Sequence, residues 1–224
     1  MLGALLAITM LATGASSAPL APAVQAGALE KQARLKACLA KVEAKPDEAL
    51  EEAAAWSAQT HNREAAVCKA LALIALKRVP EGALLLEQLA DAGDGGDAGT
   101  RAGVYSQAGN ARLLDLDPDK ALADFSAALK YSPDEPDLLV DRSRAYALIG
   151  DWRHAEEDLS AALDKRPNDA FALALRAEAR LQQNVFDLAE KDAEAAVALA
   201  PKDVSALLVR GRAREAKRLG KKPE

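Results

Sequence analysis

Aromatic side chains are scarce in this 224-residue chain, at 4% of positions, and cysteine and histidine occur only twice each. With half the residues hydrophobic and so few rings, alanine and leucine must supply the buried surface, which favours closely packed helices over sheets. His61 and His154 each fall in or beside a turn, with no serine, cysteine or carboxylate at catalytic spacing. No nucleophile, base and orienting group can be assembled, so an enzyme is not expected and no cofactor is implied. Neither sign of charge dominates: 29 basic and 34 acidic residues are mixed along the chain, giving a net charge of -5. That leaves no field to attract nucleic acid.

Charge is also missing from the first 26 residues, where Leu5 to Ala12 form a short apolar stretch followed by small residues and prolines. Residues 1–26 read as an export signal, with Val24 and Ala26 giving the small-x-small pattern before a cut ahead of Gly27. Only residues 1–4, starting with Met1 and Leu2 and carrying no basic side chain, precede the apolar run, so the usual positive flank is lacking. The run is too short to anchor the chain durably in a bilayer, and no cysteine follows it for lipid attachment. The expected setting is periplasmic or otherwise exported, in a bacterium, with no stable membrane insertion after cleavage.

What the chain does contain is a period. Pro133, Pro167 and Pro201 stand at equal spacing, 34 residues apart, and aligning on them stacks Ala121 with Ala155 and Ala189, and Ala128 with Ala162 and Ala196. Asp124, Asp158 and Asp192 fall in one column; Arg142, Arg176 and Arg210 fall in another. Carried backwards, the frame pairs Ala83 with Ala49, while the longer step from Ala83 to Ala121 places an insertion of four residues in the glycine-rich segment DAGDGGDAG. The division is then two degenerate repeats over 27–97, inserted loop residues 98–101, three repeats over 102–203, and a capping helix with a basic tail over 204–224. Within each unit the apolar spacing is helical, glycine at 150 suits a helix end, and Pro46, Pro80 and Pro118 suit the first turn of a second helix.

The fourth unit, PDLLVDRSRAYALIGDWRHAEEDLSAALDKRP, resembles the tetratricopeptide repeat family in its Ala-Tyr, Gly-Asp-aromatic, Ala, Ala-Leu and terminal Pro. The resemblance covers 102–203 well and the first two units weakly, since His61 and Gly95 replace the terminal proline and Trp56 stands where alanine is usual. It implies an all-α, right-handed α-solenoid of about five helix-turn-helix repeats plus a C-terminal capping helix. Its concave face would be lined by the first helix of each hairpin and would hold a peptide or a partner helix. On that basis the chain is a non-catalytic interaction adaptor or scaffold binding a protein or peptide. The competing reading is a self-assembling component of a cell-envelope complex that uses the convex face or the basic end.

Five residue sets follow. Cys38 and Cys68 fall in the first helices of adjacent hairpins, and in an oxidising compartment they should pair; two buried free thiols are the other reading. The Asp and Arg columns read as inter-repeat salt bridges across an 18-residue gap, joining Asp124 to Arg142, Asp158 to Arg176 and Asp192 to Arg210. Asn110, Arg144, Glu178 and Arg212 share one position expected on the concave face, with Val140, Phe171 and Leu208 nearby, and form the candidate partner-binding ladder, although a solvated inner face would look the same. Family members that clamp a terminal carboxylate carry lysines and asparagines on these faces; here Asp137 and Asp141 intrude. Asp91, Asp94 and Asp97 lack the spacing of a calcium loop and read as a flexible connector. The basic residues from Arg210 to Lys222 read as a solubilising end.

Overall fold

The computed structural model describes residues 22–59 and 62–221; most of the expected export signal, His61 and Lys222 lie outside them. Eleven helices follow one another with no strand among the described residues: α1 (Pro22–Ala44), α2 (Pro46–Gln59), α3 (Arg63–Ala75), α4 (Val79–Asp91), α5 (Ala98–Leu114), α6 (Pro118–Tyr131), α7 (Pro136–Leu148), α8 (Trp152–Lys165), α9 (Ala170–Gln182), α10 (Phe186–Leu199) and α11 (Val204–Leu219). The helical-repeat fold expected from the period is present, as five hairpins and a closing helix. Helix α1 begins at Pro22 and passes through the position of the expected cut ahead of Gly27.

Side-chain caps start these helices at repeating places. Asp117 and Asp151 accept from the backbone N–H groups of Lys120 and His154 at the heads of α6 and α8; Asp169 and Asp203 do the same for Ala172 and Ala206 at α9 and α11. Each satisfies an N–H that the helix itself leaves open, a contribution of about 1 kcal/mol. Four of the five hairpin turns use one left-handed residue, Leu116, Gly150 and Asn184 in the periodic part and Lys77 earlier. Glycine and asparagine tolerate that conformation; leucine adopts it at a cost of about 1 kcal/mol.

These turn residues correct the insertion. Lys77 and Leu116 are 39 residues apart, five more than the later period, and residues 98–101 are helical. Helix α5 has 17 residues where α7 and α9 have 13, so most of the extra chain is one additional turn at the head of α5. That turn continues the helix because Asp97 caps it by accepting from Thr100 N at 2.7 Å. The connector before it is tied down. Arg101 donates to the carbonyls of Ala90, Ala92 (2.8 Å) and Gly96 (3.1 Å), and the Tyr105 hydroxyl donates to Asp91 at 2.5 Å. No cluster of metal-binding side chains occurs among the described residues.

Alanine at the helix contacts lets backbones approach closely, and a few larger side chains fill what remains. Leu86, Phe125, Leu159 and Leu181 are fully buried, each stabilising by about 2–3 kcal/mol. Phe125 fits only because residue 109 is glycine, since a methyl group there would lie 2.7 Å from the ring. The first helices form the inner row: α1 meets α3, α5 meets α7 and α9 meets α11, whereas no two second helices come as close. The main core cluster runs from α3 to α11. The first hairpin has a separate cluster of small residues, Ala49, Ala53 and Ala72 around Cys38 and Cys68, which form a disulfide with Cα atoms 6.2 Å apart. Among the described residues no helix is long and apolar enough to cross a membrane.

Candidate functional site

The charged columns pair differently from the expected register. Arg142 donates to both oxygens of Asp158 at 2.8 and 2.7 Å, and Arg176 to both oxygens of Asp192 at 2.7 and 3.0 Å. The gap is 16 residues, from the first helix of a hairpin to its own second helix, because side chains on antiparallel neighbours face each other across the turn. The same guanidinium groups reach the preceding hairpin through hydroxyls: Arg142 to Ser126 at 3.5 Å and Arg176 to Ser160 at 3.3 Å. In the last hairpin the column of those serines carries Glu194 instead, facing α11. Arg214 adds the direct contact there, at 2.7 Å, and Lys217 reaches Glu190 at 2.8 Å, so much of the basic end is occupied by acids of α10.

Asp124 is the exception within its column. The place of its bidentate arginine is taken by Ala108, and its nearest cation, Arg112, lies 3.8 Å away while donating to Glu87 at 2.6 Å. One guanidinium thus serves two carboxylates. In the last hairpin two do, since Arg180 joins Arg176 on Asp192 and also holds Glu156. Burial, with repulsion from Glu87 and Asp117 and partial relief from Arg112, pushes the Asp124 carboxyl up to about 7. An unfolded aspartate titrates near 3.9. The group therefore contributes stability that is fully present below about pH 4 and is lost as pH rises through about 7. Asp124→Asn is expected to raise the unfolding free energy at pH 8 by an amount on the order of 1–3 kcal/mol and to flatten the dependence between pH 4 and 7. Urea titrations at several pH values check this; a variant as pH-dependent as the parent would locate the effect elsewhere.

The expected concave ladder lies on the inner row, and its members bind one another. Asn110 donates to Asp141 at 2.8 Å, Arg144 donates to Asp141 at 3.0 Å and to Asn110 at 3.3 Å, and Arg212 donates to Glu178 at 2.7 Å. Phe171 and Leu208 are 55% and 62% exposed. Val140 is not a surface residue: at 6% exposure it packs in the main core cluster, as does Ala174 one repeat later. Leu208, next in that column, is open because α11 has no described helix beyond it. His154 is partly buried, stacks on Tyr146 and shares a 2.6 Å hydrogen bond with Asp151, a local turn arrangement with no reactive group attached.

What sequence reasoning missed is a cavity. Between α7 and α9, which stand further apart than α5 and α7 or α9 and α11, lies a space of about 320 Å³. Leu113, Leu114, Leu116, Leu148 and Leu175 line its sides, and Trp152, Ala155 and Leu159 its floor. Arg144 and Glu178 stand at the edge. Leu114 and Leu116 are 79% and 78% exposed, and Leu148 is 54% exposed, so its mouth carries large aliphatic side chains in water. The signal was present as leucines flanking the turns, in LLDLDP and YALIGD, where turn residues are ordinarily polar. Such a concave apolar site is suited to receiving side chains rather than to chemistry.

Residues 113–179, which span most of this cavity, match the family model described as tetratricopeptide repeat. No curated protein matches the sequence. Among solved structures, the MamA RS-1 ArsTM double mutant superposes with a TM-score of 0.64 at 16% identity, covering 80% of this chain and 97% of that one. The first TPR of Spaghetti (RPAP3), bound to the HSP90 peptide SRMEEVD, superposes with a TM-score of 0.52 at 23% identity, covering 54% and 95%. The TPR domain of Arabidopsis OM64 gives 0.51 at 22%, covering 53% and 98%. These structures share the helical-repeat fold with this chain, and the tetratricopeptide repeat model matches its residues 113–179.

Proposed function

We propose that the protein is a non-catalytic adaptor that holds a segment of a partner protein on its inner row, centred on the cavity between α7 and α9. The observation that carries this reading is the cavity itself, with leucines exposed at its mouth where water would otherwise favour polar residues. The peptide held by the RPAP3 domain, a structural neighbour, supports the same use of this fold. Hairpins locked by Arg–Asp pairs keep the lining in place, which lowers the ordering cost of binding. The setting we propose is the bacterial periplasm, after removal of residues 1–26; N-terminal sequencing of the mature protein from fractionated cells should give Gly27, and retention in the cytoplasm would remove this setting.

The test of the adaptor reading is crosslinking in cells through a C-terminal tag, comparing the wild type with a Leu114→Asp, Leu148→Asp double variant. Both positions are exposed, so the variant is expected to keep its helical circular dichroism. A partner captured by the wild type and lost from the variant is the expected result. Recovery of only the protein itself, unchanged by the variant, would favour self-assembly through the convex face or the basic end.

A further inference from the structure

Resting on the adaptor reading, we infer that the cavity recognises an internal, electrically neutral segment of its partner through a leucine- or phenylalanine-sized anchor, and does not hold an acidic chain terminus. The inference comes from accounting for charge on the inner helices. Six basic residues lie on α5, α7 and α9, and each is already engaged. Arg101 holds carbonyls of the connector, Arg112 holds Glu87, Arg142 holds Asp158, Arg144 holds Asp141, Arg176 holds Asp192, and Arg180 holds Glu156 with Asp192.

The acids of these helices are engaged in the same way. Asp137 accepts from Arg166 at 2.5 Å, Asp141 from Asn110 and Arg144, and Glu178 from Arg212 and Gln182. The guanidinium groups at the rim, Arg144 and Arg212, each already have a carboxylate beside them, Asp141 and Glu178, so an incoming carboxylate would meet a neutralised cation and a like charge and gain little. Asn110, a group suited to a terminal carboxylate, has its amide directed to Asp141 instead. Around the cavity mouth Asp141 with Arg144 and Glu178 with Arg212 form two closed pairs, and Asp115, exposed between Leu114 and Leu116, adds a negative charge that opposes an acidic segment. A rim whose arginines are paired, around an aliphatic interior, complements an uncharged apolar segment, for which the gain is burial of the exposed leucines. The volume of about 320 Å³ leaves room for one or two large side chains, so the segment passes over the mouth and inserts an anchor.

The experiment uses the full chain against two displayed libraries of random peptides, one fixed at both ends and one with free C-termini. Selected sequences are then synthesised with carboxylate and amide ends and titrated against the wild type and Leu148→Asp. The expected result is ligands from the doubly fixed library that share an aliphatic or aromatic anchor. Their affinity should fall about tenfold with Leu148→Asp, the size of one lost apolar contact. It should change by less than about twofold between carboxylate and amide ends. Ligands found only with free termini, and lost on amidation, would overturn this inference while leaving the adaptor reading intact. If neither library gives a ligand sensitive to Leu148→Asp, both fall.

Discussion

Reducing the Cys38–Cys68 bond is expected to strip α1 and α2 of protection against amide exchange while α6 to α11 stay protected. Besides the bond, the first hairpin is held by Trp56, buried on α2 with Arg34 of α1 over its ring, and by one small cluster. Its cluster is built on Ala49, Ala53 and Ala72, with Leu35, Val42 and Leu50 only partly buried against it, and it is separate from the main core. Closing the 30-residue loop contributes about 3.5 kcal/mol if the effect is mainly on the unfolded chain. One buried ring and a few alanine contacts do not replace that, so the hairpin should open locally rather than drag the array with it. Hydrogen exchange followed by mass spectrometry, with and without reductant, reads the result by segment. Equal protection of 22–59 in both states would show that packing alone suffices.

Asp192→Ala is expected to lower the unfolding free energy by about 3 kcal/mol, the largest loss of any single charge in the array. The carboxylate receives Arg176 through two hydrogen bonds and Arg180 through a third, and it is almost wholly buried. Removing it leaves two guanidinium groups facing each other in a site with little water, although Arg180 keeps Glu156. Ser160→Ala, which removes only the 3.3 Å contact to Arg176, should cost about 1 kcal/mol or less. Urea denaturation of the two variants separates these amounts, and a loss below about 1 kcal/mol for Asp192→Ala would mean that the pair behaves like an exposed one. Asp192→Ala and Asp124→Asn should shift stability in opposite directions because the same column holds a carboxylate with two arginines and another with a share of one.

The helical hairpins were legible because a 34-residue period survives in positions where only small residues fit, as at Ala121, Ala155 and Ala189. The proximity of Cys38 and Cys68 followed from the same frame. Pairing within the charged columns did not, since an alignment shows that Asp and Arg recur together without showing which helix each side chain faces. Gaps of 16 and 18 residues both join consecutive helices in contact, and only the structure shows that the Arg142 guanidinium meets the carboxylate of α8 and a hydroxyl of α6. Val140 was placed at the groove by its distance from the ladder in sequence, yet it lies on the face that α7 turns into the core. The cavity was hidden for a further reason: it arises from the spacing between α7 and α9, a property of three hairpins together.

Leu116 sets two demands against each other. Its backbone is left-handed where the equivalent positions carry Gly150 and Asn184, and its side chain stands in solvent at the mouth of the cavity. Glycine or asparagine there should fold more stably and bind less well, so a screen for thermal tolerance alone would select against recognition at this position.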